Sequence, residues 1–155
     1  MSIALDDVDR ALLGLLQRDC SRTLFDLGQE VGLSTSAVQR RIRRYQRAHL
    51  IDRQAAILNP GALGDVVVAL VLVTLEREST GLHAELQTRL AQCPEVQQCY
   101  DLASEHDYAV IIVARGMSEL RAIVDGLFMD APNVKRFVTM PVYDIVKASL
   151  EIPVR

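Results

Sequence analysis

The segment of residues 24–47 most constrains the fold, because it holds two helical patterns separated only by the three residues "GLS". Before this turn, Leu24, Leu27 and Val31 recur at helical spacing, and a glycine ends the short helix. After it, Ser34 offers a side-chain oxygen that can cap a helix extending to about residue 48. A leucine-rich helix over residues 5–16 precedes both and has acids in its first turn. This order predicts a helix-turn-helix unit.

The third predicted helix has a basic face. At about 100° per residue, Val38, Ile42 and Tyr45 share one stripe, which we expect to be buried. The other side carries Ser36, Gln39, Arg40, Arg43, Arg44 and Arg47. Residues 39–47 contain five arginines and no acid, whereas an ordinary solvated face mixes both signs. Like charges one turn apart oppose a helix, so the pattern favours a contact with DNA phosphates and base edges.

Charge is distributed unevenly along the chain. The net charge of −3 argues against a nucleic-acid partner when taken as an average. Residues 1–60, however, hold nine arginines and seven acids, and residues 61–155 hold eight basic and thirteen acidic residues. Because nucleic-acid binding responds to the local potential, the basic first part keeps DNA as the expected partner.

The second half of the chain has a different pattern, which begins after the turn-forming sequence "NPGALG" at residues 59–64. Strand patterns over residues 66–75, 96–103, 108–114 and 134–147 alternate with helical patterns over residues 81–92 and 118–129. The order βαββαβ predicts a ferredoxin-like sheet with two helices on one face. We therefore predict an α+β protein with a winged-helix-like helix-turn-helix domain (residues 1–51), a strand and linker (52–64) and a ferredoxin-like domain (65–155).

The strands also predict self-association. Two helices cover one face of such a sheet, yet residues 66–73 and 108–114 barely alternate between apolar and polar side chains. A second copy of the chain is the simplest cover for the other face. A two-fold dimer would also suit two DNA half-sites about 34 Å apart.

The start of the chain has acids where a signal peptide needs basic residues, and the longest apolar run, residues 66–73, is too short to span a bilayer. We expect a cytoplasmic protein with no membrane partner. The three cysteines form no C-x-x-C pair, which argues against a disulfide framework and a zinc ribbon.

The sequence "ASEHDY" at residues 103–108 places three ionisable side chains in a row, Glu105, His106 and Asp107. Adjacent strand residues point to opposite faces, and no nucleophile motif accompanies them, which argues against catalysis. A metal site lacks a second histidine nearby in the sequence. A polar turn between two strands is the simpler interpretation of the residues alone.

Together these segments resemble the Lrp/AsnC-family transcriptional regulators, also called feast/famine regulators. The N-terminal half of that family is matched by "LDDVDRALLGLLQRD", "LFDLGQEVGLSTSAVQRRIRRYQRAHLI" and "ILNPGALG". Its effector-binding half is matched by "PEVQQCYDLASEHDYAVIIVA" and "NVKRFVTMPVYDIVK".

The resemblance implies a non-enzymatic, sequence-specific regulator that binds double-stranded DNA as a dimer or as a tetramer or octamer. It implies that amino acids or related metabolites act as effectors, and it implies no other cofactor. By position it assigns base edges to Thr35, Ser36, Gln39 and Arg40, and phosphates to Thr23, Arg43, Arg44 and Arg47.

The resemblance also places an effector pocket beside the "ASEHDY" loop. It implies pocket roles for Ala103, Ser104, Glu105, His106, Asp107, Asn133 and Thr139. The family commonly has Gly where this chain has Ser104, and Thr where it has Ala103. Serine at position 104 allows fewer backbone conformations than glycine, which changes the expected shape of the pocket. An alternative function is a small-molecule-binding module that acts on proteins, and the arginine face is the feature that favours DNA.

Overall fold

The computed structural model describes residues 3–77 and 79–154 and consists of two units. The first comprises Met1–Ile57 and Lys147–Arg155, and the second comprises Leu58–Val146. Within the described residues, no helix has the length and apolar character needed to cross a membrane.

Three helices form most of the first unit: α1 (Asp7–Arg18), α2 (Leu24–Val31) and α3 (Thr35–Arg47). Each begins at a capping side chain that accepts a backbone hydrogen bond, and these caps are Asp6, Thr23 and Ser34. The helices pack around Leu12, Leu13, Leu27, Val38 and Tyr45. The predicted helix-turn-helix is confirmed, including the bounds of the second helix and the cap of the third.

Two glycines permit the tight turn between α2 and α3. Gly32 ends α2 in the left-handed conformation, with φ of 67°. Gly28 lies so close to the turn that an added Cβ would stand 2.5 Å from the carbonyl oxygen of Leu33. Because both positions hold glycine, which has no side chain to obstruct the turn, α3 can follow α2 directly.

The last residues of the described chain pack with the first unit, whereas the predicted bounds group them with residues 65–155. The side-chain amide of Gln17 on α1 donates to the carbonyl of Ile152 (3.0 Å) and accepts from its N–H (2.8 Å). Val154 packs against the helical core. These contacts join residues far apart in the sequence, which leave no local pattern from which the packing could be predicted.

The strand or wing predicted after α3 has no paired neighbour within the described residues. Residues 52–59 form no regular structure, and a short 3-10 turn, Pro60–Ala62, follows them. A strand needs a neighbour to pair its backbone groups, and the described chain offers none here.

The second unit contains β1 (Val66–Leu75), α4 (Thr80–Gln92), β2 (Val96–Asp101), β3 (Tyr108–Arg115), α5 (Gly116–Val124) and β4 (Val134–Pro141). The strands form one antiparallel sheet in the order β2-β3-β1-β4. This confirms the predicted ferredoxin-like arrangement. The predicted last strand is six residues too long. Since Val142 already bonds to Val68, close to the start of β1 at Val66, little of β1 remains for the following residues to pair with.

The two faces of the sheet differ. One face is buried beneath α4 and α5 and contributes alternate residues of β1 and β3 to the core, from Val71 and Val73 to Val110 and Ile112. On the other face, Leu70 and Ile111 are paired neighbours and are only partly buried. We call this second surface the open sheet face.

Candidate functional site

The exposed side of α3 carries most of the predicted DNA-binding side chains. Val38 and Tyr45 are fully buried, as the helical wheel predicts, so the opposite side faces solvent. Six of the predicted residues are exposed there: Thr35, Ser36, Gln39, Arg40, Arg43 and Arg47. These donors lie along little more than three helical turns, which suits contact with neighbouring base edges and phosphates in a major groove.

The five arginines of α3 do not form a single face. Arg41 turns towards α1, where its Nη1 lies 2.9 Å from an Asp6 oxygen and 2.5 Å from Oδ1 of Asp9. Arg44 also pairs with Asp9, through a 2.5 Å contact between Nη2 and Oδ2, although 45% of its side chain stays exposed. Arg44 therefore already has an anionic partner. Its predicted contact with a DNA phosphate stays a prediction.

Asp9 is the charged residue at the centre of this arrangement, and sequence reasoning missed it. Its side chain is 1% exposed. Burial alone would raise its pKa, but hydrogen bonds from Tyr45, the Asp6 N–H, Arg41 and Arg44 outweigh burial and hold that pKa well below the ordinary range. Burial and the neighbouring carboxylate raise the pKa of Tyr45. Asp9 is therefore ionised and Tyr45 neutral at pH 7.

The sequence contained one indication of this cluster. Tyr45 lies in the buried stripe of α3, and a buried tyrosine hydroxyl usually requires a hydrogen-bond partner. From the sequence, the acids of α1 were explained only by the helix dipole, which favours negative charge in the first turn. Their second role depends on contacts between residues more than thirty positions apart, which the charge pattern of α3 alone does not reveal.

Thr23, the remaining predicted DNA contact, is exposed but has its hydroxyl engaged. The hydroxyl accepts from the N–H of Asp26 (3.1 Å) and donates to that residue's carboxylate (2.7 Å). A phosphate at this position would meet the nearby negative charge of Asp26. The capping role of Thr23 is evident from the structure, and its phosphate contact stays a prediction.

The predicted effector loop is a tight connection between β2 and β3. The hydroxyl of Ser104 donates to the carbonyl of His106 (3.0 Å) and accepts from its N–H (3.2 Å). Among the described non-glycine residues, positive φ occurs only at His49 and Asn133. Serine at position 104 is therefore not strained, and its hydroxyl fixes the turn. Ala103 and Glu105 are exposed beside it.

Two of the predicted pocket residues hold the end of β1. The carboxylate of Asp107 accepts from the N–H of Leu75 at 2.6 Å. The amide of Asn133 both accepts from the N–H of Arg77 (2.9 Å) and donates to its carbonyl (2.8 Å). In the same region Nδ1 of His106 lies 3.1 Å from the hydroxyl of Thr74. The loop and Asn133 thus meet at one end of the sheet, with several polar groups already used by the protein.

Thr139 does not join this group directly. It pairs with Val71 in the interior of the sheet, whereas Arg136 pairs with Thr74 nearer to the loop. Since Val71 is on the helix-covered face, Thr139 is directed to that face as well. The structure therefore brings six of the seven predicted effector residues to one region and leaves Thr139 several positions away.

The structure gives no support to a metal centre in this loop. Among the described residues, no three His, Cys, Asp or Glu side chains are grouped so that they could hold a metal ion. Cys20, Cys93 and Cys99 are free thiols.

A helix-turn-helix unit joined to an antiparallel βαββαβ module defines a DNA-binding regulator with a separate ligand-binding domain. Comparison with known families identifies residues 5–46 as an AsnC-type helix-turn-helix domain and residues 68–152 as an Lrp/AsnC ligand binding domain. The chain belongs to the Lrp/AsnC family of transcriptional regulators. It is a sequence-specific DNA-binding protein, and its family is not a family of enzymes.

Relatives support this assignment along nearly the whole chain. The transcriptional regulator AzlB of Bacillus subtilis is 33% identical, over 99% of this chain and 98% of its own length. LrpA of Mycobacterium tuberculosis is 37% identical over 77% of this chain and 81% of its own length. A Neisseria meningitidis regulator solved in complex with L-Met has the same fold, with a TM-score of 0.88 and 24% identity, covering 97% of both chains.

Proposed function

We propose that α3 enters the major groove of operator DNA and that its exposed side chains divide the work of recognition. Thr35, Ser36, Gln39 and Arg40, near its N-terminal end, would contact base edges. Arg43 and Arg47, one and two turns further along, would neutralise phosphates. The observation that carries the proposal is the exposed polar and basic side of α3, presented directly after a tight turn.

A titration of salt tests this proposal. We expect the wild-type protein to shift fragmented genomic DNA at moderate salt, with an affinity that falls steeply as salt rises. Arg43→Ala should make the negative slope of log K against log salt shallower by about one unit. Arg121→Ala, at an arginine on α5 with an 84% exposed side chain, is the matched control and should leave that slope unchanged. An affinity independent of salt would contradict the proposal.

We propose that a second copy of the chain covers the open sheet face. Two rows of side chains cross all four strands there: Tyr100, Ala109, Leu72 and Val138 in one row, and Gln98, Ile111, Leu70 and Met140 in the other. Tyr100 is 50% exposed and Met140 38% exposed, so this largely apolar surface remains open to water. A symmetric pair of sheets would bury both rows, and the dimer would carry two α3 helices for two half-sites. Dimers could assemble further into tetramers or octamers.

We propose that an amino acid or a related metabolite acts at the "ASEHDY" loop. The L-Met complex of the Neisseria regulator and the ligand-binding domain of the family support this proposal. The Glu105 side chain is 86% exposed and lies 3.7 Å from Nε2 of His106, whose own side chain is only 16% exposed, so Glu105 is the charged group that the loop presents to solvent. The effector would act by binding one assembly state more tightly than another. We propose no cofactor besides this effector, and a cytoplasmic location, where DNA is available and free thiols stay reduced.

A panel of amino acids tests the effector proposal. We expect at least one to raise the melting temperature or to change the assembly state measured by light scattering. If no amino acid in the panel changes either quantity, the protein is an effector-independent regulator and the loop has only a structural role.

A further inference from the structure

A buried carboxylate lies beneath the DNA-binding helix. Asp9 projects from α1 towards α3 and is 1% exposed. Its Oδ1 accepts from Nη1 of Arg41 and from the hydroxyl of Tyr45, both at 2.5 Å. Its Oδ2 accepts from Nη2 of Arg44 (2.5 Å) and from the N–H of Asp6 (3.1 Å). Four donors from two helices therefore converge on one carboxylate.

This carboxylate divides the arginines of α3 into two sets. Arg41 is held by both Asp6 and Asp9, and only 23% of its side chain is exposed. Arg44 is held by Asp9 and also stacks on Tyr45, with 5.6 Å between its guanidinium carbon and the ring centroid. Within residues 3–77 and 79–154, the structure shows no carboxylate paired with Arg40, Arg43 or Arg47.

We propose that Asp9 is a positioning residue of the DNA-binding surface, which withholds Arg44 from the DNA backbone. A phosphate that captured Arg44 would leave the buried Asp9 carboxylate with fewer donors, which makes the exchange unfavourable. The same bonds fix the rotation of α3 about its axis, and with it the direction in which the three free arginines point. The inference rests on the proposed role of α3 in DNA binding, and it replaces the predicted phosphate contact of Arg44.

The test is a double-mutant cycle with the salt slope on non-specific duplex DNA as its readout. Arg43→Ala should make the salt slope shallower by about one unit, and Arg44→Ala should make it shallower by less than half as much. Asp9→Asn should make the salt slope steeper by about one unit, because Arg44 is released to contact a phosphate. Arg44→Ala should then remove that gain when it is added to Asp9→Asn. A role of Asp9 in stability alone would not produce this pattern.

Two results would overturn the inference. Equal losses of slope for Arg43→Ala and Arg44→Ala would show that Arg44 contacts DNA despite its carboxylate. A folded Asp9→Asn variant with the wild-type salt slope would show that the Asp9 carboxylate does not keep Arg44 from the DNA backbone. If Asp9→Asn does not fold, the comparison of Arg43→Ala with Arg44→Ala still decides. A lack of effect of Arg43→Ala would instead contradict the proposed DNA-binding face.

Discussion

The hydroxyl of Tyr45, buried in α3, donates a 2.5 Å hydrogen bond to the carboxylate of Asp9 on α1, thirty-six residues earlier. This bond ties the helix that carries the arginines to the helix that carries their counter-charge. Both side chains are essentially inaccessible to water, with Tyr45 at 0% and Asp9 at 1% exposure. The orientation of the DNA-binding helix therefore depends on a polar contact as well as on apolar packing.

Removing this hydroxyl should destabilise the protein measurably. We expect Tyr45→Phe to lower the free energy of unfolding by about 1–2 kcal/mol, because Asp9 loses one donor in a site that water does not reach. Chemical denaturation would measure the change. Tyr143→Phe is the matched control, since Tyr143 is fully exposed, at 105%. A Tyr45→Phe variant as stable as the control would mean that the bond contributes nothing.

The buried carboxylate also predicts how stability depends on pH. The folded-state pKa of Asp9 is lowered, so its stabilising effect is complete above the unfolded pKa of about 4 and is lost as pH falls below that value. The difference in unfolding free energy between wild type and Asp9→Asn should therefore shrink between pH 5 and pH 2. Asp7→Asn, on the same helix at a 104% exposed side chain, is the control. A difference that stays constant over this range would show that the pKa of Asp9 is the same in the folded and unfolded states.

The N-terminal half of α3 should determine which sequence is bound. We expect Gln39→Ala or Arg40→Ala to lower the preference for operator over non-specific DNA by about 1–3 kcal/mol. Arg43→Ala should instead weaken binding to both kinds of DNA similarly. Competition binding at a fixed salt concentration measures both quantities. Wild-type sequence preference in both Gln39→Ala and Arg40→Ala would exclude these residues as base contacts.

The elements that were predicted well have local causes. Thr23, Gly32 and Ser34 begin or end helices through contacts within a few residues, so their sequence positions determine the helix bounds. The order of strands and helices follows in the same way from short-range periodicity. This was sufficient to predict the helix-turn-helix and the four-stranded antiparallel sheet.

The features that were missed depend on distant contacts. The acids opposite Arg41 lie 32 and 35 residues earlier in the chain, and the bond between Gln17 and Ile152 spans 135 residues. Neither pairing produces a pattern in a short window of sequence. The predicted loop residues lie close together, but the hydrogen bonds of Asp107 to the N–H of Leu75 and of Asn133 to the N–H of Arg77 appear only in three dimensions.

The open sheet face gives a prediction about assembly. We expect Met140→Glu to weaken self-association by about 100-fold, or about 3 kcal/mol, because it would bury an unpaired charge in the interface. Met117→Glu is a closely matched control, since Met117 is 56% exposed and lies on α5, away from the sheet. Light scattering over a range of concentrations would compare them. Equal self-association of the two variants would place the interface elsewhere.

Ser104 gives the most direct test of the effector loop. Its hydroxyl makes both hydrogen bonds that hold the backbone of His106 in the turn. Ser104→Gly removes these bonds and adds backbone freedom, which an effector would have to order at a cost of about 0.5–1 kcal/mol. We expect the affinity for the most stabilising amino acid of the panel to fall about two- to fivefold, measured by calorimetry. Ser104→Ala removes the hydroxyl without adding the same freedom and should have a smaller effect. If ligand still binds with wild-type affinity to Ser104→Gly, the effector site lies outside this loop.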